Sequence, residues 1–263
     1  MRPLIAALVL ATLPFAAAAA PCGNTANGFA AWKAAFAQEA AAKGIGQRGL
    51  QALSQVQYSK GTIAADRNQK GVKYSLQDFM RIRGVDAIVA GGRKRKAANA
   101  TFYASLERIY GVPAGILLAI HGMESGFGSF LGKYNVLSSN ATVAYDCRRS
   151  KFFAAHMLAA LEMVDRGWLD PNAIGAAHGE IGHTQFLAGN VLTYGRDGDG
   201  DGRVNLYGLS DAMASTANYL SQKGWQPGQP YGEGSRNFRV LNEWNAATVY
   251  QQAIAIAARR IDG

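Results

Sequence analysis

The chain has 263 residues, room for one large domain or two small ones, and sets 27 Lys and Arg against 18 Asp and Glu, a formal charge of +9. That charge favours anionic polymers, with cell-wall material as plausible a partner as nucleic acid. No phosphate-binding loop or dinucleotide fingerprint occurs, which removes the common nucleotide-dependent enzymes.

The first predicted element is a leader: Arg2, an apolar stretch from Leu4 to Leu13, the helix breaker Pro14, then Ala16 to Ala20. This is the layout of a secretory signal peptide, too short and too weakly flanked for a membrane anchor. Pro21 blocks cleavage before itself, so the cut is expected after Ala19, giving a signal peptide at 1–19 and a single mature domain at 20–263. Pro21 also stands where a lipoprotein site before Cys22 needs a small residue. A soluble periplasmic protein without a transmembrane segment is expected. Cys22 and Cys147 are an even pair in an exported chain, where a bridge is permitted. Sequence says nothing of their separation and leaves both bridge and free thiols open.

Alanine-rich segments with helical apolar spacing follow at Phe29 to Ala42, Ala97 to Tyr110, Phe152 to Val164, Asp211 to Gln222 and Thr248 to Arg260. Breaks are expected near Gly44, Gly61, Gly91 and Gly195, and Gln226 to Asn237 reads as a surface loop. The cluster Arg93-Lys94-Arg95-Lys96, after two glycines, reads as a solvated helix start. No aromatic residues interleave with it, so nucleic acid is not an expected partner. Strand-like alternation is scarce, and the fold class is mainly all-α, one domain of two lobes with a cleft between them.

An apolar run, Ile116 to Ile120, predicts a buried helix that delivers Glu124 just before Gly126-Phe127-Gly128. A partly desolvated carboxylic acid there would have a raised pKa, as a general acid requires. The plainer reading of the local pattern is an ordinary helix-end Glu. His178, Glu180 and His183 form H-x-E-x-x-H, whose histidines are not at the spacing that zinc proteases need. Asp197, Asp199 and Asp201 followed by Gly202 open an EF-hand-like loop for a hard cation such as calcium. The twelfth position is Gly208 rather than Glu, and Asp211 in the next helix is the carboxylate able to close the site.

Gly111-Val112-Pro113, Glu124-Ser125-Gly126-Phe127-Gly128, Gly132 and Ala141-Thr142-Val143-Ala144-Tyr145-Asp146 together resemble the lytic murein transglycosylase B family. The similarity continues through Gln185-Phe186, the acidic loop, Ala217-Asn218-Tyr219-Leu220 and Gly224-Trp225. Upstream it includes Asp66-Arg67-Asn68-Gln69 and Gln77-Asp78-Phe79, and near the C-terminus Trp244-Asn245, Tyr250 and Ala258-Arg259-Arg260. The resemblance implies a lysozyme-like helical fold and a peptidoglycan-cleaving lyase with Glu124 as its single catalytic acid and base. It implies Gln185, Tyr250, Trp244 and Phe127 at the sugars, and Asp197, Asp199, Asp201, Arg203 (through its carbonyl) and Asp211 around calcium. No organic cofactor is implied, the enzyme is expected to be a monomer, and a cell-envelope partner that restrains it is plausible. The chain departs from the family pattern at Ala176, where a serine able to reach the acid is usual, and at Ala188, where proline is common. Glu180 replaces a small residue, His183 an aromatic or polar one, and Trp244 a tyrosine. The segment between Trp225 and Asn245 is short, which predicts an open cleft. A lysozyme-type hydrolase would need a second carboxylate, for which Asp146 and Glu180 are the candidates; a wall-binding scaffold without turnover is the third reading.

Overall fold

The computed structural model describes residues 20–68 and 74–263. The expected signal peptide and Gln69 lie outside the described residues. Among these residues thirteen α-helices form. The first six are α1 (Phe29–Ala42), α2 (Gln47–Gln55), α3 (Lys60–Arg67), α4 (Leu76–Ile82), α5 (Val85–Ala98) and α6 (Ala100–Tyr110). After them come α7 (Ala114–Ser125), α8 (Val136–Tyr145), α9 (Ser150–Asp165), α10 (Ala188–Tyr194), α11 (Leu209–Gln222), α12 (Arg236–Trp244) and α13 (Thr248–Asp262). A two-stranded antiparallel ribbon pairs β1 (Tyr134–Asn135) with β2 (Ile174–Gly175), Tyr134 opposite Gly175.

Helix α7 is apolar on all sides, and Ile116, Leu117, Leu118, Ala119 and Ile120 are wholly buried. A helix of that character must be enclosed by others. It packs on α13, α5 and α6, and these helices with α4 and α12 build one lobe. The other lobe gathers α1, α2, α3 and α10 around the α8–α9 pair. Cys22 and Cys147 form a disulfide with Cα atoms 5.0 Å apart, which answers the question the sequence left open. Beside it Gly23 donates its backbone N–H to Tyr145 at 3.0 Å, fastening the start of the described chain to the end of α8.

The structure corrects several expected boundaries. Gly91 and Gly92 do not break the chain; they lie inside α5. Two mid-helix glycines cost roughly 1 kcal/mol each relative to alanine, but here they admit close neighbours. A Cβ on Gly91 would meet the Phe127 ring at 2.8 Å, and one on Gly92 would meet Ile261 at 2.6 Å. The basic cluster is therefore the end of α5 rather than a helix start, and it is engaged with α13. Arg93 donates to the Arg260 carbonyl at 2.6 Å, and Lys96 pairs with Asp262 at 2.7 Å. Gly61 likewise lies inside α3, whereas Gly44 and Gly195 do mark helix ends. The loop from Gln226 stops at Ser235, whose hydroxyl caps α12 by accepting from the Phe238 N–H at 3.1 Å.

Candidate active site

Helix α7 ends one residue after Glu124 because Gly126 adopts a left-handed conformation (φ 57°) that continues no helix. The acid thus sits on the last turn of the most buried helix, with its carboxyl at the wall of a cleft. That cleft has a volume of about 950 Å³ and runs between the lobes, bounded by Glu124 and Arg83 on one side and by Arg149, Phe152 and Glu180 on the other. It continues past Glu124 toward Ser129 and the exposed ring of Phe130.

Two side chains from far along the chain converge on one oxygen of the acid. Trp244, the last residue of α12, donates its indole N–H to Glu124 Oε1 at 3.0 Å. Tyr250, in the first turn of α13, donates its hydroxyl to the same oxygen at 2.5 Å. Trp244 is held edge-on by Phe186 and Tyr219, at ring separations of 5.3 and 5.4 Å. Tyr250 is 7% exposed and meets Phe79 edge-on. The other carboxyl oxygen accepts no hydrogen bond among the described residues, which leaves it available to the cleft.

Burial pushes the Glu124 carboxyl above the ordinary carboxylate range, and the negative charge of Glu180 adds to the rise. The donors Tyr250 and Trp244 and the cation Arg83 pull the other way without reversing it. Arg83 is anchored by donating to the Met123 carbonyl. Burial, and then the neighbouring Glu124, drive the Tyr250 hydroxyl well above its usual pKa, so it remains a donor. An acid in this setting keeps its proton to higher pH than an ordinary carboxyl and, once it has given it up, is met by two ready donors.

The remaining expected site residues divide. Gln185 reaches the cleft wall with a left-handed backbone (φ 55°), and its amide N–H₂ donates to the Gly182 carbonyl at 2.7 Å. A non-glycine residue in that region carries strain that the surroundings must hold. Phe127 is a correction. With Gly126 and Phe127 (φ 63°) both left-handed, the chain doubles back, and the Phe127 ring packs on Gly91 and on the edge of His121, outside the cleft wall. The Arg95 guanidinium lies 4.1 Å from its centroid. Asp146 is also removed from the cleft: it is buried and ion-paired with Arg67. Glu180 does face it.

His178 and His183 share no ligand. His178 Nδ1 lies 3.2 Å from Glu180, while His183 Nδ1 lies 2.9 Å from the buried His121 Nε2. Burial, followed by the neighbouring His183 and Arg95, lowers His121 to about 3, so it is neutral. Ser125 is structural, its hydroxyl donating to the His183 carbonyl at 2.6 Å and accepting from the Gly128 N–H. Ala188, where the family pattern has proline, is the first residue of α10, the position at which proline's fixed φ is most useful. Sequence reasoning missed Arg83, the pairing of His183 with His121 and the Asp66 network behind His178; Asp66, His178 and His183 lie in noted motifs, but their partners are far along the chain.

The acidic loop gathers three carboxylates. Oxygens of Asp197, Asp199 and Asp211 lie within 4.8 Å of one another. Asp211 is buried in the first turn of α11 and accepts from Gly198 N–H at 2.8 Å and Asn205 N–H at 2.7 Å, so it laces both ends of the loop. A backbone N–H from Asp201 favours the ionised Asp199, yet desolvation and then the charges of Asp211, Asp201 and Asp197 push its carboxyl up. Crowded like charges of this kind fit a hard cation. Asp201 stands apart from the cluster and accepts from the Arg203 N–H at 2.8 Å.

Residues 28–235 match the family model described as a transglycosylase SLT domain, a range that includes Glu124 and the acidic loop but ends before Trp244 and Tyr250. The chain is 35% identical over 123 residues to membrane-bound lytic murein transglycosylase B of Escherichia coli strain K12, an alignment covering 46% of this chain and 34% of that protein. It spans about a third of the length of that curated relative. Among solved structures it is similar to SltB3 of Pseudomonas aeruginosa in complex with NAG-NAM-pentapeptide (TM-score 0.83, 29% identity, 89% of this chain and 80% of that one). It shares its fold with the Escherichia coli lytic transglycosylase SLT35 in complex with calcium (TM-score 0.80, 22% identity, 96% of this chain and 98% of that one). No helix of the described residues is long and apolar enough to cross a membrane.

Proposed function

Because this chain belongs to the transglycosylase SLT domain family, we propose that it is a peptidoglycan lytic transglycosylase that cleaves the MurNAc–GlcNAc β-1,4 bond without water. The observation that carries the reading is a cleft carboxyl raised by burial, with two donors on one oxygen and the other oxygen open. Protonated Glu124 gives its proton to the glycosidic oxygen, the bond from that oxygen to the anomeric carbon breaks, and the GlcNAc portion leaves as an alcohol. Positive charge develops on the MurNAc ring, where the substrate's own acetamido group can relieve it. Ionised Glu124, steadied by Trp244 and Tyr250, then takes the proton of the MurNAc 6-hydroxyl as that oxygen attacks the anomeric carbon. The product is a 1,6-anhydro sugar, and Glu124 ends protonated as it began. One carboxylate suffices because a substrate hydroxyl replaces the water that a hydrolase must activate.

In this reading Gln185, Trp244 and Tyr250 line the sugar path, while Phe127 supports α7 from behind. The loop of Asp197, Asp199 and Asp211, with Asp201 and the Arg203 carbonyl at its rim, would hold calcium as a structural ion. The chain would act as a periplasmic monomer after export, cleaved after Ala19, under the restraint of an envelope partner. The SltB3 complex with a peptidoglycan fragment supports the substrate class. A hydrolase of lysozyme type is the second reading, and the presence of Glu180 in the same cleft is what favours it. Mass spectrometry of products from purified peptidoglycan separates the two. Anhydromuramyl ends from the wild type and none from Glu124→Gln are expected; reducing ends would overturn the proposal, and intact polymer with bound protein would favour a scaffold.

A further inference from the structure

We propose that Glu180, held in the cleft by His178, is a positioning residue whose negative charge acts on Glu124 and on the positive sugar that follows; this rests on the reading of Glu124 as the acid. Glu180 and Glu124 belong to the same cleft. The residue stands at the end of a tight turn, where Gly179 N–H donates to the Ala176 carbonyl at 3.1 Å and Ala176 N–H to the Glu180 carbonyl at 3.2 Å. Asn140 clamps that turn from α8 by donating to the Gly179 carbonyl at 3.2 Å. Both carboxyl oxygens are engaged by one residue: the His178 backbone N–H donates to Oε2 at 2.9 Å, and His178 Nδ1 lies 3.2 Å from Oε1. A carboxylate only accepts, so Nδ1 carries the proton of this contact. On the far side of the ring, Nε2 lies 3.3 Å from Asp66, itself bound by Arg148 and Arg149.

Burial alone would raise the Glu180 carboxyl, but the His178 ring and backbone N–H overcome it and hold the group below the ordinary range. Its side chain retains 23% exposure, so the charge is not sealed away from the cleft. The other charged and titratable neighbours are Arg83 after α4, Arg149 before α9, Glu243 on α12 and Tyr250 on α13. Arg83 opposes Glu180 by favouring ionised Glu124, and Glu180 is the anion that raises it. Such a charge is worth most where it faces a cation that exists only in the transition state.

The test is the pH dependence of cleavage of purified peptidoglycan by the mature protein, Glu180→Gln, Glu180→Ala and Glu180→Asp. Loss of the charge should move the alkaline limb of kcat/KM to lower pH by about 0.5–1 unit and lower the plateau kcat roughly tenfold, with KM nearly constant. Glu180→Asp should recover part of both. Should Glu180→Gln fail to fold, Glu180→Ala, with the small side chain of the family pattern, gives the same measurement. An unmoved limb in a folded Gln or Ala variant overturns the proposal, even if activity falls, because a purely structural role lowers activity without moving the limb. Reducing ends from the wild type would instead overturn the lytic reaction while leaving the limb measurement valid.

Discussion

The acid and the acidic loop are both clusters around carboxylates, yet they are assembled in opposite ways. The loop draws Asp197, Asp199 and Asp211 from within one short segment, and its own backbone N–H groups organise it: Gly200 and Gly202 donate to Asp197 at 2.6 and 2.7 Å. The acid draws its donors across sequence separations of 120 and 126 residues, from α13, which packs on α7, and from α12, which packs on α13 and α11. The loop is a local device that stabilises one turn of chain. The acid site is a property of the whole folded domain, and its chemistry should be sensitive to distant changes that the loop ignores.

The severest break is at the acid itself. Glu124→Gln should lower cleavage by at least about 10²–10⁴-fold, read as anhydromuramyl product, with the melting temperature at neutral pH held or raised. The sign follows from the raised folded pKa: the ionised form is penalised in the native state, so the stability this group allows is full below its unfolded pKa and is lost as pH rises through the folded one. A next-largest effect tests the dependence on distant ties. Cys147→Ser should cost about 2–5 kcal/mol in denaturant unfolding, because it releases a bridge spanning 125 residues. Tyr250→Phe removes one of the two donors and should lower kcat by roughly ten- to a hundredfold, the worth of a hydrogen bond to a charged group. Its alkaline limb should move upward, since Tyr250 favours ionised Glu124; a downward move would remove Tyr250 from this role. The smallest effect is expected at the loop. Calcium should raise the melting temperature in proportion to the logarithm of its concentration, and Asp199→Ala should abolish that rise; a rise that persists would put the ion elsewhere.

What the sequence disclosed follows the same division. The loop was readable because its carboxylates lie close together in the chain; Asp201 among them accepts from the Arg203 N–H and stands outside the cluster of Asp197, Asp199 and Asp211. Helix α1 was placed to the residue, since a helix with aromatic residues Phe29, Trp32 and Phe36 at helical spacing carries its own signal. Helix α12 was hidden because its first residues follow a Gly- and Pro-rich stretch, and only the Ser235 cap marked the change. Gly91 and Gly92 misled for a physical reason: glycine weakens a helix locally, but here the missing side chains make room for Phe127 and Ile261. The same packing took Phe127 out of the cleft. Trp244 and Tyr250 were expected near the sugars by resemblance, but their shared oxygen on Glu124 could be seen only once α13 was folded against α7 and α12 against α13.

The long span between the acid and its donors also bears on the order in which the protein is made. A ribosome delivers Glu124 well before Trp244 and Tyr250, and a chain threaded through an export channel emerges in the same order. Throughout that interval the carboxyl exists without the two groups that steady it. On the proposed function, a nascent or prematurely ended chain would be a poor cutter of glycan, and competence would arrive when the last two helices complete the lobe built on α7. For a protein whose substrate would be the host's own wall, timing of this kind is a safeguard that requires no inhibitor.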